Sequence, residues 1–295
     1  MNNWSSKEKT GTVYYLPSGT IRDIETGKAV ITGRNPDGSV IAKYTDEGVT
    51  PPKRVWNMKT HNAETYGTNV LNAMIGKRFN YPKSLYAVQD TLRFFVANKP
   101  NALIVDFFAG SGTTLHAVNL LNAEDGGHRR CILVTNNEVS ADEAKTLSAQ
   151  GYQPGDPEWE QYGIARYVTW PRTVCSIEGH DVNGKPLKGD YITSGEEPMH
   201  MADGFKANAA FFKLGFLDKN AVALGRQFKE LLPVLWLKAG AHGPCPSLEE
   251  AAEMPAMLVL PENHFAVLTN ESQYETFATQ VNIEDAITTV YIVTD

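Results

Sequence analysis

Cysteine is scarce in this chain. Among 295 residues only Cys131, Cys175 and Cys245 occur, an odd number. Their spacing fits neither a disulfide framework nor a thiolate-held metal, so both are excluded, and the three read as free thiols of a reducing cytoplasm. The seven histidines are scattered with no pair at ligand spacing, and no metal site is expected. No apolar run approaches the length needed to cross a membrane, and the first residues lack the basic and apolar segments of a signal peptide. A cytoplasmic chain with no membrane partner is expected. What is there is ordinary globular composition, 42% hydrophobic and 21% charged, in a length that allows one large domain or two smaller ones.

One segment stands apart. Ala102-Leu-Ile-Val-Asp106-Phe107-Phe108-Ala109-Gly110-Ser111-Gly112-Thr113-Thr114 runs from apolar residues through an acid, two aromatics and Gly-x-Gly to two hydroxyls, and the helical run Leu115–Leu121 follows. The pattern predicts a buried strand, a tight turn and a helix start. The first N–H groups of such a helix have no partner inside it. With the helix dipole they favour an acidic group of a ligand. The glycines let the main chain come close because no Cβ intervenes. Two common loops are excluded: a phosphate loop needs lysine where Thr113 stands, and the dinucleotide fingerprint needs a third glycine where Leu115 stands. On Gly-x-Gly alone, an ordinary strand–helix turn of an α/β domain remains the alternative.

The net charge of -7 is unevenly spread. Residues 1–136 hold 16 Lys+Arg and 11 Asp+Glu, a balance of +5, whereas residues 137–295 hold 11 and 23, a balance of -12. A basic front half suits a chain whose first part approaches phosphate, although an imbalance of that size also arises in chains that bind none.

Along the chain, residues 1–56 read as β-rich. Thr12–Leu16, Thr20–Ile24, Ala29–Ile31 and Val40–Tyr44 are short alternating runs punctuated by Pro17-Ser-Gly, Thr26-Gly-Lys and Asn35-Pro-Asp-Gly, and Lys53, Arg54 and Trp56 follow in a Pro-led loop. A helix is expected over 63–75 with Gly76 as its stop, and a second over 83–97, where Leu85, Val88, Leu92 and Phe95 form a one-sided stripe. Strand 103–107, helix 113–122, strand Cys131–Thr135, a helix opened by the capping box Ser140-Ala-Asp-Glu143, and strand Ile164–Trp170 complete a β-α-β-α-β series over residues 57–171. Residues 172–204 read as a hairpin and linker. Residues 205–295 read as a small α/β module. Phe211, Phe212, Leu214, Phe216 and Leu217 form an apolar cluster, a helical stretch is split by Pro233, and 258–295 run strand, strand, helix, strand.

Three segments carry a family resemblance. Asp106-x-Phe-Ala-Gly-Ser-Gly-Thr-Thr114 resembles the S-adenosylmethionine (SAM) turn of DNA amino-methyltransferases, with Phe107 where proline often follows the acid. Phe79-Asn-Tyr-Pro-Lys83-Ser84-Leu-Tyr matches the motif preceding that turn, and Arg130-Cys-Ile-Leu-Val-Thr-Asn-Asn-Glu138-Val-Ser matches the strand and loop after it. Gly155–Trp159 and Ala223–Phe228 through Trp236 are less specific matches. Over most of residues 53–295 the chain is similar to the C-terminal part of a permuted (beta-class) site-specific DNA methyltransferase, as in the modification subunit of type III restriction–modification systems.

The resemblance implies the SAM-binding half of a doubly wound, Rossmann-like α/β sheet, with SAM as cofactor. It implies that Phe107, Phe108, Ala109, Gly110, Ser111 and Gly112 shape the methionine end of the pocket and that Asp106 faces the SAM ammonium. Thr113 and Thr114 would open the helix toward the SAM carboxylate, and Lys83 and Ser84 would close the pocket from the preceding helix. The family places an acid after the second strand to bind the ribose; here Thr135 and Asn136 stand there and Glu138 lies just beyond, and Asn136 is taken as the candidate. Implied partners are double-stranded DNA, a second copy of the chain and a restriction subunit.

One motif is missing. Methyl transfer to an exocyclic amine in this family uses Asp/Asn/Ser-Pro-Pro followed by an aromatic, which holds the amino group and stacks on the flipped base. Thr50-Pro51-Pro52-Lys53 lacks the polar head and the aromatic, Asp156-Pro157-Glu158-Trp159 has one proline, and Asn35-Pro36-Asp37-Gly38 reads as a hairpin turn. No catalytic residue is assigned. In the permuted class that motif precedes the SAM turn, so a long segment ahead of Met1 is expected, with residues 1–56 as the tail of a target-recognition region. Three functions stay open: an adenine-directed DNA methyltransferase present as its cofactor part, a binding module without turnover, and an unrelated nucleotide-dependent enzyme such as a dehydrogenase, which would bind NAD in place of SAM.

Overall fold

The computed structural model describes residues 2–5, 10–12, 15–36, 38–45, 54–195, 197–223, 227–249 and 254–293. Thr50-Pro51-Pro52-Lys53 lies outside them, as does the middle of the Ala223–Phe228 match. The chain divides into two units, residues 1–209 and 210–295.

The first unit begins with β1 (Asn2–Ser5) paired with β2 (Thr10–Thr12), then α1 (Ser18–Glu25) and the antiparallel hairpin β3 (Ala29–Arg34) and β4 (Val40–Tyr44). The hairpin forms where Asn35–Gly38 predicts a turn: Gly38 N–H donates to the Asn35 carbonyl at 2.9 Å. Thr20–Ile24, expected as a strand, is helical instead. Pro17 stands just ahead of the helix, and Ile21 and Ile24 share one face at a spacing of three. A short alternating run does not distinguish the two periods.

Helices then dominate. A π-helical turn, Glu64–Thr68, runs into α2 (Asn69–Ile75), which stops at Gly76 with φ 71°. Ser84 caps α3 (Leu85–Val96), its Oγ accepting from Ala87 N–H. β5 (Leu103–Asp106) and β6 (Arg130–Leu133) lie parallel and in register, joined by α4 (Thr113–Asp125). Among the described residues these two strands are a sheet of their own. Ile104, Asp106, Cys131 and Leu133 are partly covered on one face, whereas Leu103, Val105, Phe107, Ile132 and Val134 alternate with them and are exposed. Parallel strands are ordinarily buried on both faces.

Half of the capping box forms: Ser140 Oγ accepts from Glu143 N–H at the start of α5 (Ala141–Ala149), while the Glu143 carboxylate takes the Ser140 hydroxyl at 2.8 Å. The short α6 (Pro157–Glu160) follows. The strand expected at Ile164–Trp170 is absent. Ala165–Thr169 is a π-helical turn that continues as α7 (Trp170–Glu178), with Pro171 in its first turn. Val168, Thr169 and aromatics gave the segment a β composition, but Ala165, Val168, Thr169, Arg172, Thr173 and Ser176 are buried at helical spacing. The β-α-β-α-β series therefore ends after its second strand. The stretch read as hairpin and linker does hold a hairpin, β7 (Asp190–Tyr191) with β8 (Met199–His200), and it also supplies Leu187 and Tyr191 to the core, joined by Phe205 just beyond its end. Tyr191 and Phe205 pack with Leu85, Tyr86, Ala117 and Leu120 of α3 and α4, while Leu187 packs with Leu71, Met74, Ile75, Val168 and Cys175.

In the second unit α8 (Lys219–Ala223) precedes a 3-10 turn, Phe228–Leu231, and α9 (Leu232–Lys238) restarts with Pro233 in its first turn, where a missing N–H costs nothing. β9 (Met257–Leu260), β10 (Phe265–Leu268), α10 (Tyr274–Ile283) and β11 (Thr289–Ile292) follow in the expected order, and β10 is the central strand, antiparallel to β9 and parallel to β11. One face of β10 packs on Leu232 and Trp236, the other on Phe277. The predicted apolar cluster at 211–217 is no core: Leu214 is 97% and Phe216 100% exposed.

Candidate functional site

The glycine turn is held from both ends. Asp106 Oδ1 accepts from Phe108 N–H at 3.0 Å and Oδ2 from the Thr114 hydroxyl at 2.6 Å, tying the strand end to the helix start. Ala109 N–H reaches the Val134 carbonyl at 3.2 Å, and Gly112 N–H the Ala109 carbonyl at 2.8 Å. Gly112 sits at the head of α4 with φ 75°, and a Cβ there would stand 3.2 Å from Thr169 Cγ2. Its glycine is thus required twice, by the left-handed backbone and by the close approach of the π-helical turn. Thr169 fastens that approach, its hydroxyl donating to the Gly110 carbonyl at 2.6 Å.

Side chains and backbone of the turn face different ways. Ala109, Ser111 and Thr113 are buried. The Thr113 hydroxyl accepts from Arg172 Nη1 at 2.7 Å and lies 3.2 Å from Ser111 Oγ. Thr114 donates to Asp106. The hydroxyls expected to meet a ligand therefore build the turn, and what remains for a ligand is the backbone N–H groups at the head of α4. Phe108, 92% exposed, and Phe107 stand out from the turn.

Behind the turn lies a polar network that the sequence reading did not identify. Arg172, on α7, is fully buried and donates from Nη1 to the Ser111 carbonyl at 3.3 Å and the Ser111 hydroxyl at 3.1 Å as well as to Thr113. Its Nη2 faces His116 Nδ1 at 3.4 Å, and His116 Nε2 is 2.8 Å from the Tyr191 hydroxyl. Burial first, and the Arg172 charge second, hold His116 well below its ordinary range. Burial lowers Arg172 to about 10, leaving it cationic at neutral pH. The available signal was the helical spacing of residues 165–176. A β-like composition hid it.

Lys83 and Ser84 are separated in role. Ser84 is buried, capping α3 and donating to the Thr60 carbonyl at 2.7 Å, while Lys83 is exposed. The chain before them rests on Gly67, where a Cβ would fall 2.6 Å from the Pro82 carbonyl oxygen. Next to the turn is a cavity of about 280 Å³ lined by Arg78, Phe79, Glu138, Tyr162, Ile164 and Tyr167. Arg78 stacks over Tyr167, 4.4 Å from the ring centre, and Phe79 Cζ lies 3.8 Å from where a Gly110 Cβ would be. Glu138 is brought there because Ile164 N–H donates to its carbonyl at 2.9 Å and Asn137 bonds Glu160. Asn136 is exposed and does not line this cavity. Cys131, on β6 beside the site, is held up at about 12 by burial and by Asp106, so its thiol is inert at neutral pH.

Residues 4–146 match the DNA methylase family that covers N6 and N4 methyltransferases. The chain resembles an N6 DNA methyltransferase. It is 30% identical over 152 residues to the EcoPI Mod subunit, a type III restriction-modification enzyme subunit of Escherichia phage P1, covering 51% of this chain and 22% of that protein. It is 34% identical over 212 residues to the StyLTI Mod subunit of Salmonella typhimurium, covering 65% and 31% respectively. It is 41% identical over 86 residues to the type II methyltransferase M.KpnI of Klebsiella pneumoniae, covering 29% and 20%. The chain thus spans less than a third of the length of each of these relatives. Among the described residues no helix is long and apolar enough to cross a membrane.

Proposed function

We propose that this chain is the SAM-binding part of a site-specific DNA methyltransferase that modifies adenine at N6. The observation that carries the reading is the Asp106–Thr114 turn, whose polar side chains Asp106, Ser111, Thr113 and Thr114 are used to hold it while the first N–H groups of α4 have no partner within the helix, beside a nucleoside-sized cavity. SAM supplies an electrophilic methyl group when bound. The head of α4 would hold its carboxylate, the remaining lone pairs of Asp106 its ammonium, and Gly110 and Gly112 let the backbone approach. The adenosine would enter the cavity beside Phe79 and Tyr167, with Glu138, not Asn136, on the ribose hydroxyls, because Glu138 lines that cavity. Lys83, exposed at the entrance of α3, would close the methionine end, and Ser84 would act only by fixing that helix.

The doubly wound sheet belongs to the same proposal. The exposed apolar face of β5 and β6 supports it, since parallel strands need cover on both faces. Duplex DNA is the proposed substrate, and a restriction subunit and a second copy of the chain are proposed partners. The relatives' description as subunits of restriction-modification enzymes supports the first of these two. The test joins the chain to an upstream segment carrying Asp-Pro-Pro-Tyr and follows labelled methyl from SAM into duplex DNA. N6-methyladenine is the expected product. SAM binding without any transfer would favour the second reading, a binding module without turnover, which the absence of an Asp-Pro-Pro-aromatic motif from these 295 residues motivates.

A further inference from the structure

Arg172 is a buried cation without an anion. Among the described residues no carboxylate lies within ion-pair distance of it, and its Nε has no hydrogen-bond partner. A guanidinium can only donate, so His116 Nδ1 must accept; the imidazole proton then sits on Nε2 and points to the Tyr191 hydroxyl. The chain Arg172–His116–Tyr191 is therefore fixed in one tautomer, with neutral groups on the far side and the turn on the near side. Taking an unpaired charge out of water is costly, and an apolar side chain would fill the space without that cost. What the guanidinium does that an apolar group cannot is donate to the Ser111 carbonyl and hydroxyl and the Thr113 hydroxyl at once.

We propose that Arg172 is a positioning residue for the methionine end of the cofactor: it locks Ser111 and Thr113 from behind so that the N–H groups at the head of α4 face outward, and its unpaired charge strengthens that end's attraction for a carboxylate. The proposal rests on the SAM reading above. It differs from a general structural role because the nucleoside cavity is lined by residues that are not hydrogen-bond partners of Arg172.

The test compares SAM with 5′-methylthioadenosine, the same nucleoside without the amino-acid end, by calorimetry on the whole chain and its variants. Arg172→Met should weaken SAM by about 30-fold, the size of a partly buried charge acting at a helix end, and leave methylthioadenosine within about threefold. Arg172→Lys keeps the charge but not the fork of donors and should recover part of the loss. Thr113→Val, which removes the acceptor and leaves the arginine, should reproduce the selective loss should Arg172→Met fail to fold. Equal losses for both ligands in these variants, or no loss for either, would overturn the proposal. A wild-type chain that binds neither ligand would overturn the SAM reading itself.

Discussion

In the β5–β6 pair every second residue faces solvent, whereas all four residues of β10 are buried. The two sheets also differ in what lies behind them. β10 is packed by apolar side chains on both faces, Leu232 and Trp236 against one and Phe277 against the other. The turn after β5 is backed by Arg172, His116, Ser111 and Thr113, all buried and polar. Apolar packing is non-directional and tolerates repacking, while a hydrogen-bonded network fixes backbone groups in one orientation. The comparison teaches that the second unit is built for stability and the turn region for aim. The polar interior at the turn is costly, and a ligand that uses the oriented N–H groups gives that cost a purpose.

Four substitutions can break or sharpen this contrast. Phe265→Ala should cost about 3–5 kcal/mol in denaturant unfolding of the second unit and leave SAM affinity unchanged, because it empties the apolar core of that unit and touches none of the residues of the turn. Gly112→Val should do the reverse. It places a β-branched residue at φ 75° with its Cβ 3.2 Å from Thr169, and calorimetry should read at least about a 100-fold loss of SAM affinity, roughly 2.7 kcal/mol, with unfolding of the second unit unmoved.

A third substitution tests the buried histidine. The folded-state pKa of His116 lies well below its ordinary value, so the unfolded chain takes up a proton that the folded chain refuses. Its contribution is complete above about pH 6.5 and falls as pH drops below that value. The unfolding midpoint of the first unit should decline from pH 7.5 toward pH 5.5 more steeply in the wild type than in His116→Phe. The difference between the two chains is the quantity to read. His180, raised by its contact with the Asp181 carbonyl, and His200, raised by its hydrogen bond to Asp190, act in the opposite sense in both. The smallest effect is expected at Val105→Lys, on the exposed face of β5: within about 0.5 kcal/mol in thermal unfolding of the isolated chain. A loss of several kcal/mol there would mean that this face is covered in solution.

Much of the site was legible because it depends on local rules. Ser84 and the Ser140–Glu143 box cap helices, Gly76 stops one, and Gly112 fits a positive φ; each is a residue type doing something few others can. The strand–turn–helix of Leu103–Asp125 and the order of elements from Met257 onward follow from runs long enough to fix their period. What failed was short or mixed. Thr20–Ile24 and Ile164–Trp170 carry β-branched or aromatic residues that read as strands, yet both are helical: the first is a short run with Pro17 just ahead of it and none of its helix buried, and the second continues into α7 on a buried face that includes Arg172 and the hydroxyls of Thr169, Thr173 and Ser176, which no hydrophobic pattern detects. Residues 172–204 read as a linker from their glycines and prolines, although Tyr191 closes the network under the turn. Glu138 rather than Asn136 reaches the cavity because a contact across the chain, Ile164 to Glu138, sets the loop. Long-range partners of this kind are invisible to spacing.

The most direct test is a calorimetric titration of the wild-type chain with SAM, set beside NAD. The turn should bind one SAM per chain, competed by S-adenosylhomocysteine and lost in Gly112→Val. Binding of NAD with no heat from SAM, or SAM binding that survives in Gly112→Val, would contradict the assignment of the Asp106–Thr114 turn as the cofactor site.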